Sequence, residues 1–153
     1  MKSALSALVL LLVAASPVSI ARAGDAVSTV EVGGSNSVLI VPVKPVASVI
    51  LLAGGNGDIG VGPDGSIERA DNQLVRTRFD YAANKFAVLV PDIGYDLSAL
   101  VEYMEKIKKP VVVVATSRGT QRAAMGISEG AKPGKLVLTS GFLSNDSGAK
   151  KMS

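Results

Sequence analysis

The chain has 153 residues, with 16 Lys and Arg against 13 Asp and Glu, and contains neither cysteine nor histidine. Cys and His dominate zinc sites, so no structural or catalytic zinc is expected, and nothing in the sequence implies another cofactor. Removing the leader described next takes Lys2 and Arg22 away and leaves 14 basic against 13 acidic side chains, a net charge of +1. That near balance offers no electrostatic case for nucleic acid or an anionic membrane as partner.

Residues 1–23 have the layout of an export signal. Lys2 supplies the positive start, Ala4 to Ala15 is apolar, and Ala21-Arg22-Ala23 is a small-x-small cleavage site. The apolar run is about a dozen residues, short of the ~20 that span a bilayer. Length and cleavage site both disfavour the alternative, an uncleaved anchor, and no cysteine at the cleavage point signals a lipoprotein. The expected product is a periplasmic or secreted chain, 24–153, with no membrane attachment after cleavage. About 130 residues without disulfides make one domain that stands on its hydrophobic core.

Val27 to Val32 and Val38 to Val43 read as an antiparallel hairpin around the turn Gly33-Gly34-Ser35-Asn36. Pro42 and Pro45 place the second strand near an edge or end it early. Ala47 to Ala53 is continuously apolar, as a strand buried on both faces should be. A glycine-rich loop, Gly54 to Gly65, follows it. Asn72 is an N-cap for a helix carrying Leu74, Val75, Phe79 and Ala82 on one side. Phe86 to Val90 is a further buried strand, ending at Pro91-Asp92. Asp96 caps an amphipathic helix with Leu97, Leu100, Val101, Met104 and Ile107 on its inner face, and Pro110 stops it. Val111 to Ala115 is a strand, a helix with Gly119, Ala123 and Gly126 follows, Gly130 caps it, and Lys135 to Thr139 is the last strand. Alternation of this kind predicts an α/β fold: a mostly parallel sheet with helices on both faces, preceded by the hairpin. Gly54, Asp92, Ser117 and Ser140 all follow strand ends and should share one rim.

The most informative stretch is Pro110 to Thr120. Five apolar residues run into Ser117, which has small residues two positions away on either side, Ala115 and Gly119. This sets a serine hydroxyl on a turn too tight for bulky neighbours, the arrangement of a nucleophile elbow. A nucleophilic serine needs a base, and the sequence offers no histidine. The alternative reading is that Ser117 merely caps the following helix.

The order hairpin, strand with glycine loop, helix, strand, helix, strand with elbow, helix, strand resembles the first two-thirds of the α/β-hydrolase fold. The resemblance rests on Ala115-Thr116-Ser117-Arg118-Gly119 for G-x-S-x-G and on Ala53-Gly54-Gly55-Asn56-Gly57 for the oxyanion loop, and it covers roughly Val27 to Phe142. Ala115 replaces the first elbow glycine, and Ala53 stands where the family has histidine. The resemblance implies that Ser117 is the nucleophile, that the Arg118 N–H is one oxyanion donor, and that an N–H of Gly54, Gly55 or Asn56 is the other. It implies a small acyl compound as substrate. The family's acid and histidine come after later strands, and no residue here takes either role. The expectation is an incomplete hydrolase of little or no activity as it stands, or a non-catalytic exported relative used for binding or interaction. A sheet ending at its sixth strand has an edge able to pair with another copy, and the oligomeric state stays open.

A rival motif is Gly55-Asn56-Gly57-Asp58-Ile59-Gly60, a literal G-x-G-x-x-G after a buried strand. That dinucleotide fingerprint requires a helix to begin at once, whereas Gly62, Pro63 and Gly65 keep the chain in a loop. Asp92 also comes more than 30 residues after Gly60, against the ~20 expected. Asp92 reads as a loop cap, and Asp58 as a turn residue.

Overall fold

The computed structural model describes residues 25–141. The expected leader and the polar tail from Ser144 lie outside the described residues.

Six strands form a single sheet: β1 (Ala26–Val32), β2 (Ser35–Val41), β3 (Ala47–Leu52), β4 (Phe86–Pro91), β5 (Val111–Thr116) and β6 (Lys135–Thr139). Their spatial order is β1-β2-β4-β3-β5-β6. The pairs β1–β2 and β2–β4 are antiparallel, and β3–β4, β3–β5 and β5–β6 are parallel. The hairpin turn is tighter than the sequence suggests. Gly33 and Gly34 alone make it, both at positive φ, and Ser35 already pairs with Val32. β2 ends at Val41, so Pro42 terminates the strand, and β1 rather than β2 occupies the edge.

Period-two alternation sorts the strand side chains into two layers. Ile50, Leu52, Leu89 and Val113 face α3 (Leu97–Ile107) and α4 (Arg118–Ser128), meeting Leu100, Met104 and Ala123. Val49, Leu51, Val88 and Val90 face the other way, toward Leu74, Val75, Ala82 and Ile59. Cover on both faces explains why all six residues of β3 are buried. The buried Ser48 hydroxyl is satisfied within this core, donating to the carbonyls of Met104 (3.1 Å) and Lys108 (2.6 Å) at the end of α3.

The single helix expected after Asn72 is two short ones, α1 (Gln73–Arg76) and α2 (Arg78–Ala83), joined at Thr77. The break swings Phe79 out of the core. It is 37% exposed, with the Arg78 guanidinium 4.4 Å above its ring. Asn72 does cap α1, its Oδ1 accepting from the Leu74 N–H at 3.2 Å. Asp96 caps α3, accepting from the Ser98 N–H at 2.7 Å. β6 forms the far edge, and its Val137 and Leu138 are exposed.

Candidate active site

The four strands β3, β4, β5 and β6 run parallel, so their carboxyl ends lie on one side of the sheet. Ser117 stands at the junction of β5 and α4 with φ 51° and ψ −128°. A non-glycine residue in this region stores about 1–3 kcal/mol of backbone strain, which the surrounding structure must overcome. Three contacts do so. The Ser117 N–H donates to the Thr139 carbonyl at 3.2 Å, tying the turn to the end of β6. The Ser117 carbonyl accepts from the Thr120 N–H at 3.0 Å and from the Thr120 hydroxyl at 2.7 Å. Gly119 rests directly on the end of β3, where an added Cβ would lie 2.8 Å from the Ala53 carbonyl and closer still to that of Leu52. The small residue at 119 is therefore a packing requirement.

Ser117 occupies the N-cap position of α4, yet its hydroxyl makes no capping hydrogen bond. The capping role weighed from the sequence is thus not what the side chain does. Ser117 and Arg118 are exposed, and Ala115 is fully buried beneath them. Arg118 opens α4 at the positive end of the helix dipole.

Gly54 lies against the serine. A Cβ built on Gly54 would be 3.1 Å from the Ser117 Cβ and 3.4 Å from the Asn72 Nδ2. Beyond it, Gly55 and Gly57 take φ of 62° and 87°, and Asn56 closes a turn by accepting the Asp58 N–H on its Oδ1 at 3.1 Å. Asp58 pairs with Arg69 at 2.5 Å on the surface. The elbow and the glycine loop are brought together at Gly54 and Ser117. Asp92 belongs to the loop and not to the serine.

Two side chains hold this loop. Asp92 accepts the N–H groups of Ile59 (2.8 Å) and Val61 (3.1 Å), as well as that of Ile93. Partial burial pushes its carboxyl upward, but these backbone donors outweigh that and hold it below the usual carboxylate range. Arg122 reaches across from α4. Its guanidinium donates to the carbonyls of Gly55 (3.1 Å) and Ala53, and it covers Gly57, where a Cβ would lie 2.9 Å from Cζ. In a trans peptide the N–H points opposite to the carbonyl. Anchoring the Ala53 and Gly55 carbonyls therefore turns the N–H groups of Gly54 and Asn56 away from Arg122. Burial raises the Tyr95 hydroxyl pKa, against the pull of the Arg122 charge beside it. Arg122 and Tyr95 also line a cavity of about 210 Å³ with Leu97, Met125 and Glu129, which Ser117 does not reach.

The dinucleotide reading fails on the same loop. Gly60 has φ 67°, its carbonyl accepts the Glu68 N–H at 3.0 Å, and Val61 bridges Ile67. The chain is still in loop at the point where the fingerprint needs a helix, since α1 starts only at Gln73. Among the described residues no group of three His, Cys, Asp or Glu is placed to hold a metal, and no helix is long and apolar enough to cross a membrane.

No family model matches the sequence, and no curated protein matches it significantly. Solved structures do. TT1662 from Thermus thermophilus superposes with a TM-score of 0.59 at 15% identity, covering 80% of this chain and 61% of its own. EstE5, in a crystal soaked with p-nitrophenyl butyrate, gives 0.54 at 15% identity over 77% of this chain and 45% of its own. Esterase E25 gives 0.51 at 15% identity over 76% of this chain and 40% of its own. This is the α/β-hydrolase fold. The chain spans between 40% and 61% of the length of these three structures.

Of the residues singled out from the sequence, the fold brings Ser117, Gly119 and Gly54 together at the end of β3 and β5, while Arg122, which also touches this loop, and the amide end of Asn72 were not singled out there. Arg122 carries no local signature, because its partners are 67 and 69 residues away along the chain. Asn72 was visible only as a helix cap.

Proposed function

We propose that the chain belongs to an exported serine hydrolase acting on an ester or related acyl compound, with Ser117 as nucleophile. The observation that carries this is the exposed Ser117 at φ 51°, between a buried strand and an eleven-residue helix and directly against Gly54. An oxyanion forming on a substrate carbonyl beside Ser117 would meet the Arg118 N–H on one side. On the other it would meet an N–H of Gly54, Gly55 or Asn56. Preorganised donors of this kind act where negative charge develops, and the glycines let substrate come close.

What the chain does not supply is the proton acceptor, since its sequence has no histidine. Acting alone, it should retain only the residual catalysis of donors and binding. The lack of histidine in this sequence fits equally a second reading, an exported binding or interaction domain without turnover.

Labelling by a fluorophosphonate probe, read by peptide mass spectrometry with and without added imidazole, tests the first reading. Labelling should be slow without imidazole, rise when imidazole is present to take the proton, fall on Ser117 rather than on other exposed serines, and disappear in Ser117→Ala. Labelling that is indifferent to Ser117→Ala removes the serine from the chemistry. Fast turnover without imidazole would show that another base serves.

A further inference from the structure

Asn72 offers its two ends to different tasks. Its Oδ1 is committed to the Leu74 N–H at 3.2 Å. That bond fixes the amide plane and turns Nδ2, with its two N–H donors, toward the glycine loop. There it comes to the same point as the nucleophile: the position a Gly54 Cβ would take lies 3.4 Å from the Asn72 Nδ2 and 3.1 Å from the Ser117 Cβ. Glycine at 54 is what lets the two groups come this close, since a Cβ there would be crowded by both and by the Thr116 carbonyl at 3.5 Å. A helix cap alone uses the oxygen and would work equally well as Ser, Thr or Asp.

We propose that the Asn72 Nδ2 is a side-chain donor of the active site, hydrogen-bonding the oxygen that becomes negative when Ser117 attacks. The assignment rests on the reading of Ser117 as nucleophile. In the acyl reaction the Ser117 Oγ forms a bond to the carbonyl carbon and the π pair moves onto the carbonyl oxygen. The hydroxyl proton passes to an imidazole supplied from outside the chain. In fluorophosphonate labelling the Oγ–P bond forms, fluoride leaves and the same proton goes to imidazole, while charge builds on the phosphonyl oxygen. In both cases Asn72 would donate to the developing charge from beside Gly54, complementing the backbone donors.

Asn72→Asp and Asn72→Ser separate the two tasks, because each keeps an oxygen for the cap and removes the amide donor. The measurement is the imidazole-dependent rate of Ser117 labelling, resolved into a maximal rate and a probe-binding constant, beside the thermal midpoint. Both variants should keep the parent's midpoint and probe binding. Both should lose maximal rate on the order of 100-fold, the usual effect of removing one oxyanion donor, with Asn72→Asp the slower because it adds negative charge. Parent-like rates in both variants, with labelling still abolished by Ser117→Ala, would overturn the Asn72 assignment and leave the nucleophile standing. A rate that falls only in Asn72→Ala, together with the thermal midpoint, would mean a cap and nothing more. If the parent shows no selectivity for Ser117, both assignments fall.

Discussion

The elbow and the glycine loop meet at one point but are held there by different means. The elbow is held by the regular elements around it: Thr120 in α4 binds the Ser117 carbonyl with two hydrogen bonds, the end of β6 takes the Ser117 N–H, and Gly119 lets α4 sit on β3. The loop is held from far away, by Arg122 on α4 and by Asp92 at the end of β4. Strain at Ser117 is thus borne by regular structure, whereas the loop's shape depends on two polar side chains. The acyl-transfer role proposed for this site would need both halves placed to within about half an ångström. The loop half should be the more easily disturbed.

Substitutions can break that comparison. The largest effect is expected from Gly119→Val, which drives side-chain atoms into the carbonyls of Leu52 and Ala53. Overpacking against backbone should lower stability by about 3 kcal/mol in denaturant titration. A neutral result would show that α4 can slide on the sheet. Arg122→Met should cost less, about 2 kcal/mol, from the loss of charge-assisted bonds to two carbonyls. Its signature is local: hydrogen exchange at residues 54–57 should quicken while β3 and β5 keep their protection. Uniform quickening would make Arg122 an ordinary part of the core.

Asp92→Asn should have the smallest effect, about 1 kcal/mol at neutral pH, since an amide oxygen replaces only part of what the carboxylate accepts. Its pH dependence sharpens the test. The folded pKa of Asp92 lies below the unfolded value, because backbone donors outweigh the effect of burial. Its stabilisation is therefore complete above the unfolded value near 4 and is lost as pH falls through the folded one. The gap in unfolding midpoint between the parent and Asp92→Asn should narrow on acidification. A constant gap would mean that the loop does not depend on the charge.

Most of the architecture could be read from the residues. The apolar run at Ala47, the amphipathic period of Leu97 to Ile107 and the caps Asn72 and Asp96 lie where the structure has them, because each is a short-range pattern. The failures also have causes. Phe79 matched a helical stripe only if residues 73–83 formed one helix, and the break at Thr77 turned it outward. The hairpin turn was drawn two residues too long because Ser35 and Asn36 are turn formers in isolation, yet here they pair with β1.

Covalent order and local sterics alone determined that a serine sits between a buried valine run and a helix, with small residues two positions away on either side. Composition alone determined that these 153 residues hold no imidazole. Which groups lie near that serine was decided by tertiary structure: Gly54 against it, the amide of Asn72 next to Gly54, and the Arg122 guanidinium on the loop's carbonyls. These contacts join residues tens of positions apart, and a one-dimensional pattern has no period that reports a meeting made only when strands pair and a helix packs across their ends.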